Sequence, residues 1–599
     1  MAIVPIVHAT IIGQARVKAV VLEELQEKGF LHIISGEEAS GRPAEMHSSR
    51  PMEAYHYLKN CPAKRRQMHE DVHFDQKKVG EEALAIRERT LVLEEERDYL
   101  KQRIENLEPW GDFTFPPIAE TGGYRFWFYI APLYKLSDFN DIEYPWECVH
   151  KDNRDGYIVV ISKQEPEGMP VPRVHTGSRA LAALHERLDD VEAELEDLHW
   201  RRTGLTRWLT IFARRLASAE DQALLEQMVD GLYDDGKLFS FEAWLPEEKV
   251  EEFHAYTREA GLLLQVRPPG KDEPPPTLLE NPPAWQGGES LVEFYTIPAF
   301  DMWDPSRTIF LSFVFFFAMI VSDAGYGLLL GLGWLISRKK MSCHSQGLCN
   351  LFGALVAATI VYGVLVGSYF GVDPQPGTLL ARLKVLDIQN KNQMMFVSIC
   401  IGVAHLVIAN SGNFFLARHG RLYLQPLGWV IIITGGFSWW LGEVIMPGTA
   451  KLVLGGQAML VAGGVCVLFF SSTRPLDGWK NLLLRLMDGL VALTGFSRAF
   501  GDVLSYLRLF ALGLASAQLA VTFNDLAGDA VRNIAGLGTL TAVLILVVGH
   551  GLNLLLAMMS GVVHGLRLNY IEFFNWGLTE EGYSFRPFRK RRIGIWNQL

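Results

Sequence analysis

From Ile309 onward the chain is a succession of apolar runs. A helix needs about 20 predominantly apolar residues to cross hydrocarbon, because no backbone polar group can be left unsatisfied there. Candidate runs are Ile309–Ser322 and Ala324–Ser337, then 350–371, 393–416, 426–446, 452–472, 487–524 and 535–574. The first two are short and adjoin at Ser322–Gly325, which predicts a tight hairpin, with one long tilted helix as the alternative. The last two exceed what a bilayer needs and are expected to tilt or protrude. With the hairpin counted as two, there are eight spans and both termini lie on one side.

Basic residues orient this arrangement. Loops on the N-terminal side hold Arg338, Lys339, Lys340, Arg418, Arg421, Arg474, Lys480 and Arg485, and the tail adds Arg586, Arg589, Lys590, Arg591 and Arg592. Opposite loops hold only Arg382, Lys384, Lys391, Lys451 and Arg532. The excess predicts a cytoplasmic N-terminal half and tail. No basic n-region followed by an apolar core opens the chain, so no signal peptide is read.

The residues before about Gln286 have a different character, rich in Glu, Arg, Lys and His. A mean hydropathy of +0.12 averages over the two halves, and 599 residues call for at least two domains. The net charge of −11, carried mostly by the first half, argues against a general nucleic-acid binder. Six scattered cysteines form no CxxC pair, so neither zinc nor a disulfide framework is inferred, and no cofactor.

Within this half, Ile3–Ile12, Ala15–Lys28 and Phe30–Ile33 read strand, helix, strand. Val79, Ile86, Leu93, Leu100 and Leu107 then recur every seven residues, with Arg97 interrupting the alternate position, and Pro109 stops the helix. A second seam runs through Leu181, Leu184, Leu188, Val191, Leu195, Leu198, Leu205 and Leu209, with Arg202 its one polar member. Both are coiled-coil patterns. The expected fold class is mainly α: a polytopic helical membrane domain, 286–599, plus an antiparallel coiled-coil arm, 1–285, with α/β lobes at both ends. The proximal lobe takes 1–60 and 230–268, the coiled-coil helices about 65–108 and 178–225, and the distal lobe 111–177. A Pro-rich linker, 268–285, is expected to be extended. The arm reads as a rod with a lobe at each end, and the alternative is an ordinary helical domain.

Charge inside a span is costly and marks function by default. Arg498 and Asp502 are four apart and are predicted to pair on one helix face. Arg508 has no acidic residue three or four positions away, and Gly501, Ser505, Ala511 and Ala515 on its face are all small. Such a face admits another helix closely. At 100° per residue, Asn553, Ala557, Ser560, His564 and Arg567 form one polar stripe, and Glu572 sits five residues beyond Arg567. The plain structural reading gives Arg485 and Arg567 to snorkelling. It gives His405, Glu443 and His550 to internal hydrogen bonds, and Asp323 to a cap or turn.

Several segments resemble subunit I of V/A-type ATPases, called subunit a in the eukaryotic vacuolar enzyme: SYLRLFALGLASAQLA (505–520), HGLRLNYIEFF (564–574), IPAFDMWDPSRTIF (297–310), SDAGYGLLL (322–330), YGVLVGSYFG (362–371), WLPEE (244–248) and EGYSFRPF (581–588). The resemblance implies a non-catalytic stator subunit that carries protons or sodium past a rotor ring of c/K/L-type proteolipids. By match, Arg508 is the arginine facing the ring and Arg567 the second arginine, with His564 beside it. Ser505, Gln518 and Asn553 are matched to the channel lining, and Ser560 belongs to the same stripe. Implied partners are peripheral-stalk subunits E and G, the central-stalk region, the ATP-hydrolysing A and B subunits and the lipid bilayer. Some relatives carry a Glu ten residues before the second arginine, where this chain has Ala557, so Glu572 becomes the candidate exit-channel carboxylate. A prokaryotic plasma membrane is the expected location.

Two other readings remain at this point. A secondary transporter would show repeated halves with broken helices, and no repeat of the Arg508 segment is visible in the first four spans. A scaffold that only anchors the stalk leaves Arg508 and the stripe unexplained. No GxxxxGK[ST] loop is present, so no nucleotide site is read.

Overall fold

The computed structural model describes residues 3–34, 50–69, 74–113, 120–175, 180–270, 273–342, 346–416, 424–472, 474, 478–534, 536–578 and 580–590. Cys343, Arg418, Arg421, Arg591 and Arg592, and the side chains of Lys339 and Lys340, lie outside the described residues. The chain forms two compact units, 1–39 with 231–589, and 40–230 with 590–599. In chain order, β1 (Ile6–Gln14), α1 (Lys18–Lys28) and β2 (His32–Ile33) open the first unit. The second holds α2 (Arg50–Lys59), α3 (Gln76–Leu107), β3 (Arg125–Pro132), β4 (Trp146–Lys151), β5 (Asp155–Ser162), β6 (Arg173–Val174), α4 (Leu181–Leu205) and α5 (Leu209–Gly231). The first resumes with β7 (Tyr233–Asp234), β8 (Leu238–Pro246), α6 (Val250–Glu259), β9 (Leu263–Arg267), α7 (Gln286–Tyr295) and β10 (Ile297–Pro298).

The second unit is built on the two heptad seams. Ile86, Leu93 and Leu100 of α3 are buried in one cluster with Leu184, Val191 and Leu198 of α4, and Trp110 and Phe128 extend that cluster. Asp75 caps α3, its carboxylate accepting from the backbone N–H of Lys77 and Lys78. The strands form an antiparallel sheet in the order β4-β5-β3-β6. The seams do not reveal α2, which packs Ala54, Tyr55 and Leu58 against Phe212 and Leu216 of α5. Its apolar positions are too few to give a period.

Two forked ion pairs flank the seam. Arg187 Nε and Nη2 donate to the two Glu96 oxygens at 2.8 and 3.0 Å, and Arg89 grips Glu194 at 2.7 and 2.9 Å. Hydrogen bonding from each arginine holds the Glu96 and Glu194 carboxyls below the usual carboxylate range. A depressed folded-state value stabilises above the unfolded carboxyl's ordinary value, about 4.3, and that contribution is lost as pH falls through the folded value. Residues 50–230 expressed alone are therefore expected to unfold at a slightly lower temperature below about pH 4.3 than at neutral pH. Both pairs are solvent-exposed, so the effect is small. Equal thermal midpoints at pH 7 and pH 3 would count against it.

The sheet of the first unit has the order β2-β8-β1-β9, all antiparallel, with β7 on β8. The predicted strand at Ile3 starts instead at Ile6, and the helix after it starts at Lys18 behind a single tight turn. The C-terminal stretch returns to this sheet. β11 (Glu581–Gly582) pairs with β10, the Arg586 N–H donates to His32 Nδ1 at 2.9 Å, and the Phe588 N–H donates to the Leu31 carbonyl at 2.6 Å.

The apolar half comprises α8 (Ser306–Val321), α9 (Ala324–Ser342), α10 (Gln346–Val366), α11 (Leu379–Leu383), α12 (Lys391–Leu416), α13 (Leu424–Trp440), α14 (Ala450–Phe470), α15 (Trp479–Leu493), α16 (Gly495–Ser505), α17 (Leu507–Asn533), α18 (Gly538–Arg567) and α19 (Phe574–Gly577). Among the described residues six stretches are long and apolar enough to cross a membrane, and α8, with 16 residues, is a shorter apolar helix. The chain is a multi-pass integral membrane protein. Its last two stretches run 55 and 40 residues, Trp479–Asn533 and Gly538–Gly577. The hairpin form holds over the single long helix: α8 and α9 meet at Ser322, whose φ of 44° turns the chain. Helix approach is closest where side chains vanish. A Cβ on Gly363 would fall 2.2 Å from the Ala324 nitrogen, and one on Gly513 would fall 2.6 Å from the Met319 carbonyl. These glycines let α10 and α17 lie directly against the hairpin.

Candidate functional site

The outward face of α16 and α17 is uncovered by the other described residues. A Cβ on Gly501 would meet nothing within 4 Å. Ala511, Ala515 and Gln518 are exposed, and Ser505 and Arg508 half-buried. Among the described residues Arg508 makes no ion pair, and its Nη1 is buried without a hydrogen-bond partner. Two other polar atoms nearby are in the same condition, Nδ1 of His564 and Oε2 of Glu572. His564 and Glu572 both sit in the electrostatic reach of Arg508 and Arg567, and the Ser505 side chain faces the Glu572 carboxyl. Ser505 Oγ also donates to the Gly501 carbonyl at 3.1 Å.

A local change of helix type builds this cluster. At α-helical spacing, five residues correspond to about 140°, which would turn Glu572 away from Arg567. Residues Leu568–Phe573 instead form a π-helical turn. Its i→i+5 hydrogen bonds lower the rotation per residue, so five residues come closer to a full turn than in an α-helix. Glu572, only 2% exposed, is thereby brought round beside the two arginines. Arg567 itself is exposed and Ser560 and His564 are half-buried.

The polar stripe of α18 does not hold together as one surface. Ala557 is buried among Phe310, Phe313 and Phe317, so a carboxylate there would enter an apolar pocket. Asn553, matched to the channel lining with Arg508, lies instead in a second cluster nearer the α8–α9 turn. Its Nδ2 donates to Tyr326 Oη and to the Ser516 carbonyl, both at 2.9 Å. Tyr326 Oη is 2.8 Å from His550 Nδ1, and His550 Nε2 is 3.1 Å from Asn524 Oδ1. Asn524 Nδ2 donates to the Phe370 carbonyl at 2.8 Å. Asp323 closes the cluster at the turn. Its carboxylate accepts from the backbone N–H of Tyr326, Phe370 and Gly371, each at 3.0 Å, and from Ser368 Oγ at 2.6 Å. It is thus a cap and a turn lock, fully satisfied.

Arg498 Nε lies 3.8 Å from Asp502 Oδ2, and Asp502 also accepts from Trp576 Nε1 at 2.7 Å. His405 shares a 2.7 Å hydrogen bond with Tyr506 Oη and stacks on Phe573. Glu443 is exposed at the end of α13, not internally bonded. Spacing does not single out Tyr326, Asn524 and Ser516, since only the fold brings them together.

Residues 501–590, which hold Arg508, Arg567 and Glu572, match the V-type ATPase 116 kDa subunit family. V-type ATP synthase subunit I 1 of Treponema pallidum is 28% identical over 98% of this chain and 100% of its own length. The chain resembles subunit I of V/A-type ATPases. V-type ATP synthase subunit I of Chlamydia pneumoniae is 27% identical over 69% of this chain and 70% of that one. A-type ATP synthase subunit I of Methanocaldococcus jannaschii is 27% identical over 68% and 64%. A crystal structure of the cytoplasmic N-terminal domain of subunit I, homolog of subunit a, of V-ATPase aligns with 44% of this chain and all of its own at 13% identity and a TM-score of 0.24.

Proposed function

We propose that the chain is the membrane stator of a V/A-type rotary ATPase, carrying protons or sodium between two half-channels and a rotor ring of c/K/L-type proteolipids. The single observation behind this reading is Arg508, a cation without an ion-pair partner, on a face of small residues left uncovered, both among the described residues. A fixed cation in a low-dielectric setting calls for an anion from another chain. A ring carboxylate meets that need. In lipid it is favoured protonated or ion-bound, and opposite Arg508 it is favoured ionised. Arginine keeps its proton, so Arg508 cannot relay one and separates the two half-channels.

The excess of basic residues in the loops on the N-terminal side supports an inside N-terminal half and tail. The Glu572–His564–Arg567 cluster with Ser505 and Ser560 then serves the inner half-channel, where Glu572 supplies the carboxylate. The cluster around Asn553 and Tyr326 serves the outer one, and Gln518 lines the face between them. ATP chemistry belongs to the A and B subunits. The coiled-coil segments offer a mount for peripheral-stalk subunits E and G.

A pull-down of the tagged protein in mild detergent, read by mass spectrometry, tests the assembly. A small proteolipid and nucleotide-binding subunits are expected to come with it. A monomer or homodimer alone, reproduced under gentle extraction, would sink the stator reading in favour of an independent transporter.

A further inference from the structure

In the outer cluster the hydrogen-bond directions can be assigned one by one. Asn553 Nδ2 is a donor only, so Tyr326 Oη accepts from it. Tyr326 then gives its own proton to His550 Nδ1, 2.8 Å away. Asn524 Nδ2 is spent on the Phe370 carbonyl, which leaves its Oδ1 facing His550 Nε2 as an acceptor at 3.1 Å. In this arrangement a neutral His550 carries its hydrogen on Nε2, and Nδ1 is the position that can take a proton.

Asp323 is spent as well. Four donors already occupy its two oxygens, so a proton added there would displace one of them. The groups facing His550 are Asp323 from the α8–α9 turn, Tyr326 from α9, Asn524 from α17 and Phe370 from the 368–371 loop. Of these only Asp323 and Tyr326 ionise, and a tyrosine hydroxyl does so only near pH 10. His550 is the one group in the cluster whose ordinary titration falls between pH 5 and 8.

Its position fits the gap left by Ala557. His550, Asn553 and Ala557 lie at i, i+3 and i+7, on one face of α18. His550 is about 10 Å further from Arg567 than Ala557 is. Asn553 and Ser516 bridge inward from it, and Ser516 is about 12 Å along α17 from Arg508.

We infer that His550 is the proton-carrying group of the outer half-channel, in place of a carboxylate at position 557. The inference rests on the stator reading given above. Loading adds one proton at Nδ1 and gives the imidazolium, with the Asp323 carboxylate as the neighbouring counter-charge. Tyr326 Oη then accepts from Nδ1 and turns its own hydrogen away. Release removes one proton from Nδ1 toward the rotor carboxylate, which becomes neutral, and Tyr326 turns back. In the opposite direction of flow the same proton leaves to the outer water. Nothing is consumed, and His550 ends as it began.

The test uses the whole complex in sealed vesicles, with ATP-coupled ion flux recorded at a series of outer pH values while the inner pH is fixed. The wild-type flux is expected to change with outer pH. His550→Gln keeps a donor and an acceptor but cannot take a proton. It is expected to lose that pH dependence and about 10²-fold of the flux, the lower range for removing a positioned proton-transfer group. Should His550→Gln fail to assemble, His550→Asn decides, because it too keeps a donor and an acceptor but cannot take a proton, and a flattened profile is expected. Wild-type flux indifferent to outer pH, or a wild-type profile in the deciding variant, overturns the assignment of His550 alone. A wild-type complex that carries no ions overturns the stator reading beneath it.

Discussion

Arg508→Ala is expected to abolish ATP-coupled ion transport while leaving the complex assembled. Electrostatic groups placed where charge develops are worth about 10²–10³-fold each. Here the loss is larger in effect, because the same cation also separates the half-channels. Without it, the ring carboxylate has no reason to ionise at the boundary, and an ion can pass without rotation. Assembly is expected to survive because Arg508 makes no ion pair within the chain, and its Nη1 has no hydrogen-bond partner. Arg567 remains beside the Glu572 carboxyl, so the variant is expected to stay folded and assembled in detergent. Arg508→Lys keeps a charge but can neutralise itself when desolvated, and is expected to recover only a minor fraction of the flux. The measurements are ion uptake in vesicles and subunit recovery from the same membranes. Normal pumping by the alanine variant would remove the central claim.

That expectation came from the sequence because a charge inside an apolar helix is a strong local signal. The seams of α3 and α4 were legible for a similar reason, since seven-residue spacing is local and Ile86, Leu93, Leu100, Leu184, Val191 and Leu198 are all buried as it requires. What stayed hidden depends on three dimensions. Glu572 is five residues from Arg567, and only the π-helical turn at Leu568–Phe573 makes that spacing a shared side. Asn553 shares a helix face with His564 by angle, yet along α18 it is 11 residues away, about 16 Å, and its bonds go to α9 and α17. An angular wheel discards the axial distance, so it merged two clusters into one stripe. The break between α16 and α17 beside Tyr506, where the phenol is pinned to His405 of α12, has no sequence mark either.

Asp323→Ala is expected to have the largest effect on stability. The carboxylate is 3% exposed and receives four hydrogen bonds, three of them from backbone N–H groups at the start of α9 and in the 368–371 loop. Alanine leaves these donors without partners. Each orphaned buried donor costs about 1–3 kcal/mol, and the four share one site, so the sum is not additive. A net loss of about 4 kcal/mol, at the upper end for single substitutions, is the expected scale. Asp323→Asn separates packing from charge. Its carbonyl oxygen can still accept from Tyr326 and Phe370, and its amide can donate to Ser368 Oγ, but the Gly371 N–H then faces another N–H. It should recover part of the loss. Thermal unfolding of the detergent-solubilised protein gives the order expected, with wild type above Asn and Asn above Ala. The same pair of variants bears on transport. If Asp323 is only a lock on the turn, Asp323→Asn should pump in proportion to how much protein folds. Pumping lost from a fully folded Asp323→Asn protein would mean that the negative charge itself takes part, and that His550 does not work without it.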